Sequence, residues 1–264
     1  MSSPLLEVRE LTMQFGGLLA LRSLEFDVHA GEIRGLIGPN GAGKTTFFNC
    51  VTGVYKPTGG GVLVEGRSIV GRKPHQITRL GMARTFQNIR LFANMTALEN
   101  VMVGIDAHHR TSVVGAITRP PRTRREEREA VEQAHELLRH VGIGRLASHV
   151  SKNLSYGDQR RVEIARALGT QPKLLLLDEP AAGMNPSEKA SLMQLIRRIR
   201  DDGVTILLIE HDMKVVMGIC EHVVVIDFGQ KIAEGVPEFV RNDPSVIEAY
   251  LGSGAAGKAS GGDV

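Results

Sequence analysis

A glycine-rich stretch near the N-terminus has the residue types and spacing of a phosphate-binding loop. Residues 38–45, which we call the P-loop, have the sequence GPNGAGKT and match the pattern G-x-x-x-x-G-K-[ST]. The glycines let backbone N–H groups point toward one centre, where the N-terminus of the following helix adds partial positive charge. Lys44 would neutralise the β- and γ-phosphates of a nucleotide, and the hydroxyl of Thr45 is placed to ligate Mg²⁺. The predicted nucleotide-binding residues here are Gly38, Pro39, Asn40, Gly41, Ala42, Gly43, Lys44, Thr45 and Thr46.

The alternative for this stretch is a glycine-rich turn without a ligand. The flanking residues argue against it, because a strand-like apolar run, Ile33–Ile37, precedes the P-loop and a helix-like run, Lys44–Val51, follows it. A strand before and a helix after are the context that phosphate binding requires. The sequence therefore predicts a nucleotide site.

Two carboxylates follow an apolar run far along the chain. Asp178 and Glu179 come directly after four leucines, Leu174–Leu177. Enzymes with a P-loop hold Mg²⁺ partly through a carboxylate of this kind, a role that suits Asp178. Glu179 points in a different direction and is free to polarise an attacking water. Alone, the pair could be an ordinary polar strand exit, but downstream of a P-loop it predicts Mg²⁺-dependent hydrolysis of a nucleotide.

Three continuously apolar runs indicate the sheet that positions these residues. They lie at residues 174–177, 206–209 and 223–226. Strands without apolar–polar alternation are typical of a parallel sheet covered on both faces. Residues 5–34 instead contain short alternating runs broken by glycines, which is typical of antiparallel strands. The predicted fold class is α/β: a P-loop core with a mostly parallel sheet and helices on both faces, an N-terminal antiparallel β region and an inserted α-helical subdomain.

A charged, helix-patterned segment at residues 95–150 separates the first part of this core from the leucine-rich strand. After Pro120–Pro121, apolar residues recur at helical spacing, namely Val131, Ala134, Leu137, Leu138 and Val141. The arginines of this segment, Arg122, Arg124, Arg125 and Arg128, alternate with glutamates. A nucleic-acid or lipid patch is one interpretation, and a solvated helix face is the favoured one.

The length of 264 residues suits one large domain with an insertion. We predict a single domain over residues 1–251, followed by a disordered tail at 252–264 that has nothing to bury. The expected parts of the domain are a core at about 5–94 and 160–235, a helical subdomain at about 95–159 and a C-terminal helical end at about 236–251.

Composition argues against several classes of protein. No apolar run approaches the roughly 18 residues of a membrane-spanning helix, and we expect no secretory signal. The two cysteines, Cys50 and Cys220, form no C-x-x-C pair and suggest neither a disulfide framework nor a zinc site. Despite a net charge of +3, an aromatic content of 4% without tryptophan leaves few stacking platforms for single-stranded nucleic acid. We expect no nucleic-acid partner.

Two helices have readable N-terminal ends. Asn185 can cap a helix that has Pro186 at its first position and Glu188 at the capping-box position. Ser155 can cap another helix, with Asp158 at its capping-box position. Such a helix N-terminus can receive a phosphate at the Ser155 hydroxyl and at the N–H of Gly157, two residues on.

Taken in order, the motifs of this chain resemble those of the ATP-binding cassette (ABC) ATPases, from about Leu5 to Leu251. RTFQNIRLF, LSYGDQ, LLLLDEP and LIEHDM match the Q-loop, signature, Walker B and switch-histidine motifs of that family. The resemblance implies that Phe15 stacks on adenine, that Gln87 reaches Mg²⁺ and the attacking water, and that His211 contacts the γ-phosphate. It implies ATP and Mg²⁺ as ligands, catalytic roles for Glu179, His211 and Gln87, and metal contacts from Thr45, Gln87 and Asp178.

In that family, the residues that match Ser155 and Gly157 bind ATP held on the P-loop of an opposing subunit, so the resemblance implies two cassettes packed head to tail. Two residues depart from the common pattern. Tyr156 stands at the first glycine of L-S-G-G-Q, and Asn185 replaces an aspartate that contacts the partner subunit.

Further stretches, among them FGGLLAL, YGDQRRVEIAR and DEPAAGMNP, closely resemble the ATPase subunits of bacterial branched-chain amino-acid importers. The resemblance implies a peripheral protein on the cytoplasmic face of the inner or plasma membrane. Its implied partners are a second ATPase subunit, two permeases that dock near residues 88–100 and, indirectly, a solute-binding protein. The alternatives are an importer of urea, amides or other amino acids, a lipopolysaccharide exporter and, less favoured, an ATPase outside transport.

Overall fold

The computed structural model describes residues 3–106 and 121–259, and the side chains of these residues other than 121–124 and 252–259. The strands within these ranges are β1 (Leu6–Phe15), β2 (Leu18–Val28), β3 (Ile33–Ile37), β4 (Gly59–Val64), β5 (Arg67–Ser68), β6 (Met82–Arg84), β7 (Leu174–Asp178), β8 (Thr205–Ile209), β9 (His222–Asp227) and β10 (Gln230–Gly235). The helices are α1 (Lys44–Val51), α2 (Pro74–Thr78), α3 (Ala97–Asp106), α4 (Pro121–His140), α5 (Tyr156–Gly169), α6 (Pro186–Asp201), α7 (Met213–Ile219), α8 (Pro237–Asn242) and α9 (Pro244–Ala259).

The central sheet has the strand order β10-β9-β3-β8-β7-β6. All neighbours from β9 to β6 pair in parallel, and β10 pairs antiparallel with β9. Every residue of β3, β7 and β8 is buried, which confirms the interpretation of the unalternated apolar runs as a covered parallel sheet. Because parallel strands end at the same edge of a sheet, the segments after β3, β6, β7 and β8 leave from one edge.

The predicted N-terminal antiparallel region is confirmed as a second sheet with the order β2-β1-β4-β5. It packs with α1 over one face of the central sheet. Phe26 of β2 and Phe47 of α1 lie with ring centroids 5.2 Å apart in this core. The helix that follows the P-loop is thus fixed between the two sheets.

The inserted segment is helical, as predicted, in the residues that the structure describes. α3 packs against α4 and α5, and the predicted apolar stripe is buried at Ala134 and Leu138 of α4 and at Val141, the residue after it. Arg125 pairs with Glu129 at 3.2 Å with both side chains largely exposed, which agrees with a solvated face. Residues 107–120, including Pro120, lie outside the described residues, as do the side chains of Arg122 and Arg124.

Two of the predicted domain boundaries fall within a helix. The division between residues 159 and 160 falls inside α5, because that helix begins at Tyr156. The last helix, α9, runs Pro244–Ala259 and so extends into the segment where we expected disorder from residue 252. Residues 260–264 lie outside the described part of the chain, and the domain division stays a prediction.

Local signals for α6 are confirmed in full. The side chain of Asn185 accepts from the N–H of Glu188 at 3.0 Å, and the Glu188 carboxylate accepts from the N–H of Asn185 at 2.9 Å. Both cysteines are free and buried. Among the described residues, no helix combines the length and the apolar character that crossing a bilayer demands.

Candidate nucleotide site

Two glycines give the P-loop a backbone shape that other residues would strain. Gly38 has φ 154°, and a Cβ there would lie 2.0 Å from the carbonyl oxygen of Ile226 on β9. Gly43 has φ 104°, and a Cβ there would lie 2.7 Å from the carbonyl oxygen of Ala20 on β2. The P-loop therefore packs directly against a strand of each sheet, which holds its backbone in place.

Lys44 is buried at the start of α1 and directs its ammonium back at the P-loop. Its Nζ donates to the carbonyl oxygens of Gly38 at 2.6 Å and Pro39 at 2.8 Å. Burial lowers the pKa of Lys44, and the carboxylates of Glu179 and Asp178 oppose that shift. The ammonium is thus held beside the loop with two acidic groups near it.

The predicted metal-binding residues lie at the same edge of the sheet. Asp178 ends β7 and is buried, Thr45 is exposed in the first turn of α1, and Gln87 follows β6. No group of three or more His, Cys, Asp or Glu side chains suited to hold a metal by themselves occurs among the described residues. One carboxylate, one hydroxyl and one amide are hard donors of the kind that Mg²⁺ uses when phosphate oxygens and water complete its shell. The residues fit Mg²⁺ bound together with a nucleotide.

The three predicted catalytic side chains converge on one carboxylate oxygen. Gln87 Nε2 donates to Oε2 of Glu179 at 3.0 Å, and His211 Nδ1 lies 3.4 Å from the same oxygen. Glu179 has φ 44°, a left-handed backbone, and its N–H donates to the carbonyl oxygen of Ile209 at the end of β8. Parallel pairing of β6, β7 and β8 explains why residues from three distant segments meet here.

A buried glutamate that the sequence analysis missed supports this cluster. Glu210 Oε1 accepts from the N–H of Ala181 at 2.8 Å, and Oε2 accepts from the N–H of His211 at 3.2 Å. Burial raises the pKa of Glu210, although these hydrogen bonds oppose the shift. Its carboxylate joins the segment after Glu179 to the segment that carries His211. A polar residue at a strand end is common, so the sequence carries no signal for this role.

Phe15, which the resemblance assigns to the adenine contact, has an accessible ring. It ends β1, is 41% exposed, and stands edge-to-face against Tyr55 with ring centroids 5.3 Å apart. The hairpin that begins at Phe15 leads into β2, whose Ala20 touches the P-loop at Gly43. The contact between Tyr55 and Phe15 was not predicted.

The signature residues lie at the N-terminus of α5. Ser155 Oγ accepts from the N–H of Asp158 at 3.2 Å and donates to its Oδ2 at 2.7 Å. The cap is confirmed, but the full capping box is not, because the Asp158 carboxylate binds the serine hydroxyl. Ser155 and Gly157 line a cavity of about 280 Å³ together with residues of α6. That cavity contains no P-loop residue.

A buried ion pair joins α5 to the segment around Gln87. Arg160, which is fully buried, donates to the carbonyl oxygens of Phe86 at 2.5 Å and Gln87 at 2.7 Å. It also pairs with Glu163 at 2.7 Å and donates to the hydroxyl of Tyr156 at 3.2 Å. The departure at Tyr156 therefore adds a contact within the chain. Neither Arg160 nor Glu163 was among the predicted site residues.

A P-loop at the carboxyl edge of a parallel sheet, facing an acidic strand end, is the arrangement of a P-loop nucleotide hydrolase. A family model described as ABC transporter matches residues 21–182, and one described as branched-chain amino acid ATP-binding cassette transporter matches residues 230–256. The chain belongs to the ABC transporter family, as an ATP-binding ATPase cassette.

Relatives and solved structures agree with this membership. The high-affinity branched-chain amino acid transport ATP-binding protein BraF of Pseudomonas aeruginosa is 51% identical over 96% of this chain and 99% of its own length. LivG of Escherichia coli K12, which has the same description, is 49% identical over 96% of this chain and 99% of its own length. The ADP conformation of MJ1267, an ATP-binding cassette of an ABC transporter, has a TM-score of 0.83 at 33% identity and covers 95% of this chain and 100% of its own. A dimeric post-hydrolysis structure of the cassette MJ0796, bound to ADP and Pi, has a TM-score of 0.74 at 26% identity and covers 88% of this chain and 98% of its own.

Proposed function

We propose that this chain hydrolyses Mg²⁺-bound ATP to power the import of branched-chain amino acids across the inner or plasma membrane. It would work on the cytoplasmic face as one of two cassettes packed head to tail beneath two permeases, which a solute-binding protein supplies. The convergence of Gln87 and His211 on Glu179, beside the P-loop, carries the hydrolytic part of this proposal. The 51% identity to BraF and the C-terminal match support leucine, isoleucine and valine as the solutes.

When a nucleotide binds, its phosphates would replace the present hydrogen-bond partners of Lys44. Lys44 now donates to the carbonyl oxygens of Gly38 and Pro39, and the oxygens of the β- and γ-phosphates would take over these donors. The N–H groups at the start of α1 add a positive electrostatic potential. Mg²⁺, held through Thr45, Asp178 and Gln87, would neutralise charge that develops on the phosphates. The nucleotide base would stack on Phe15.

Glu179 is placed to accept the proton of the attacking water. Its carboxylate oxygen is held by Gln87 at 3.0 Å and stands 3.4 Å from His211, so its direction is defined from two sides. His211 is 59% exposed, which leaves its ring accessible to a γ-phosphate. A positioned general base of this kind contributes roughly 10²- to 10⁴-fold to a rate.

The separation of the two phosphate-facing regions supports a paired enzyme. The cavity at Ser155 and Gly157 has walls from α5, α6 and Met184 before α6, and no P-loop residue of the same chain reaches it. A second copy or a sister cassette would supply the P-loop with its ATP. Beyond Gln87, Phe92 and Met95 are 49% and 38% exposed in the segment expected to meet a permease.

Uptake in proteoliposomes tests the proposal. The vesicles contain the chain, its sister cassette and both permeases, with the solute-binding protein outside and ATP inside, and radiolabelled leucine or urea is offered. We expect leucine uptake that falls about 100-fold or more with Glu179→Gln, while binding of a fluorescent ATP analogue persists. Glu136→Gln, the same change at an exposed site on α4, is the matched control and leaves uptake unchanged.

The outcomes separate the parts of the proposal. Uptake of urea without leucine, or ATP-driven extraction of lipopolysaccharide, would overturn the assignment of the solute. ATP turnover that survives Glu179→Gln would remove Glu179 from its role as general base.

A further inference from the structure

Arg84 lies beside the predicted metal ligand Asp178, and the mechanism above does not use it. Arg84 ends β6, and its Nη2 donates to Oδ2 of Asp178 at 2.8 Å, with both side chains only 6% exposed. Its Nη1 donates to Oδ1 of Asn49 on α1 at 2.7 Å. One guanidinium thus joins the helix of the P-loop to the strand that ends in Asp178.

Aromatic rings hold the same guanidinium from other directions. Its central carbon lies 5.3 Å from the ring centroid of Phe48 on α1 and 4.9 Å from that of Phe86. Both distances suit a cation–π contact, which is stronger when it is buried. Phe86 immediately precedes Gln87, so Arg84 touches all three segments that meet at the nucleotide: α1, the end of β7 and the segment after β6.

Stability alone does not explain this placement. A buried ion pair is often no more stable than well-packed apolar residues of similar volume, because both charges lose their hydration. The Nε–H of Arg84 is buried without a hydrogen-bond partner within the described part of the chain, which adds a cost. What the guanidinium provides is a fixed position for one carboxylate oxygen, since its planar fork binds in a defined geometry.

We propose that Arg84 is a positioning residue of the nucleotide site. It holds the Asp178 carboxylate at a fixed position relative to α1 and so determines how tightly Mg²⁺ binds with ATP. The inference rests on the Mg²⁺–ATP site proposed above. Groups that orient a metal ligand typically change metal affinity by about 10- to 100-fold when they are removed. Without Arg84, Asp178 loses the partner that directs it, and the requirement for Mg²⁺ rises.

The chain offers a matched control at Arg34. This arginine is also buried, with a side chain 6% exposed, and pairs with Glu32 at 2.9 Å and Glu234 at 2.6 Å. It lies in β3 of the same sheet, near the amino end of the strand, whereas the nucleotide site lies at the carboxyl end. Arg34→Met therefore removes a buried arginine and its ion pairs away from the site.

The experiment compares Arg84→Met, Arg84→Lys and Arg34→Met with the unchanged chain. Binding of a fluorescent ATP analogue is measured in the Glu179→Gln background, in EDTA and across a Mg²⁺ titration, and urea unfolding reports stability. For Arg84→Met we expect binding in EDTA within about threefold of the unchanged chain and a half-saturating Mg²⁺ concentration about tenfold higher or more. Arg84→Lys, which keeps the charge but not the fork, falls between, and Arg34→Met keeps the normal Mg²⁺ curve.

The results are unambiguous in either direction. An unchanged or lowered Mg²⁺ requirement in Arg84→Met would overturn the inference, and so would an equal rise in Arg34→Met, because a general loss of stability would then explain both. If the unchanged chain itself binds the analogue without any response to Mg²⁺, the proposed Mg²⁺–ATP site fails first. If Arg84→Met does not fold, Arg84→Lys decides by the same Mg²⁺ titration.

Discussion

The P-loop region and the signature region both face phosphate in the proposed function, yet they are built differently. Around the P-loop, the side chains of Lys44, Arg84 and Asp178 are buried, and Arg84 of β6 bonds both to Asp178 on β7 and to Asn49 on α1. Around the signature, Ser155 is exposed and bonds only within its own turn, at Asp158. Side-chain bonds around the P-loop join distant parts of the chain, whereas the bonds of Ser155 stay within one helix N-terminus, although residues of α6 also line its cavity.

The difference indicates that the two regions have different roles. The P-loop region has charges, a candidate base and the proposed metal ligands, which suit it to bind a nucleotide within one chain. The signature region has helix N–H groups and a hydroxyl, which provide a modest attraction for anions. The two carboxylates that line its cavity, Asp158 and Glu188, are bonded in helix caps. Changes in the first region should alter binding and chemistry together, whereas changes in the second should alter the pairing of cassettes.

The largest effect is expected from Lys44→Met. The change removes the ammonium that would meet the β- and γ-phosphates, so we expect loss of tight ATP binding and a fall of about 10³-fold in ATP hydrolysis. Equilibrium binding of a fluorescent ATP analogue and phosphate release measure the two effects. Lys56→Met, at an exposed position, is the control. Normal ATP binding by Lys44→Met would break the contrast between the regions.

A smaller effect, confined to pairing, is expected from Gly157→Asp. The new carboxylate would stand at the N-terminus of α5 beside Glu188, whose Oε1 lies 3.4 Å from the place of a Cβ at Gly157, and would repel an incoming phosphate. We expect ATP binding by single chains to persist, while ATP-driven association, followed by light scattering, is lost and hydrolysis falls about 100-fold. Gly157→Ala adds only an ordinary contact and should retain most activity. Loss of ATP binding by single chains in Gly157→Asp would show that the regions are not independent.

The smallest effect is expected at Asn185, which departs from the aspartate of the family pattern. Because its side chain caps α6, Asn185→Ala should lower the free energy of unfolding by about 1 kcal/mol, measured by urea denaturation, with little change in hydrolysis. Asn185→Asp keeps a good cap and should keep the stability. If Asn185→Ala lost hydrolysis at unchanged stability, Asn185 would act across the subunit interface instead.

Features that depend on local spacing were predictable from the sequence. The P-loop, the unalternated strands and the ends of α1 and α6 follow from residue type and order alone, because each depends on neighbours within a few positions. The expectation that Gln87, Glu179 and His211 act at one site came from the resemblance of their motifs to those of the ABC ATPases. The structure then supplied the distances.

Residues that act through tertiary contacts escaped prediction. Arg84 is the first residue of the RTFQNIRLF motif, but its contact with Asp178 depends on the pairing of β6 with β7, across 94 positions of sequence. Glu210 and Arg160 bond to backbone groups of other segments. Because nearly all residues have the same backbone N–H and C=O groups, a sequence does not show which of them a distant side chain will bind. Such contacts become visible only when the fold is known.

The left-handed backbone at Glu179 means that the residue needed for the proposed activity also lowers the stability of the fold. A residue other than glycine with φ 44° stores strain of about 1 kcal/mol. Glycine at this position would relax the backbone and remove the carboxylate at once. A population of variants selected only for heat resistance would therefore drift toward glycine or asparagine at position 179, and one selected for uptake would keep the strained glutamate.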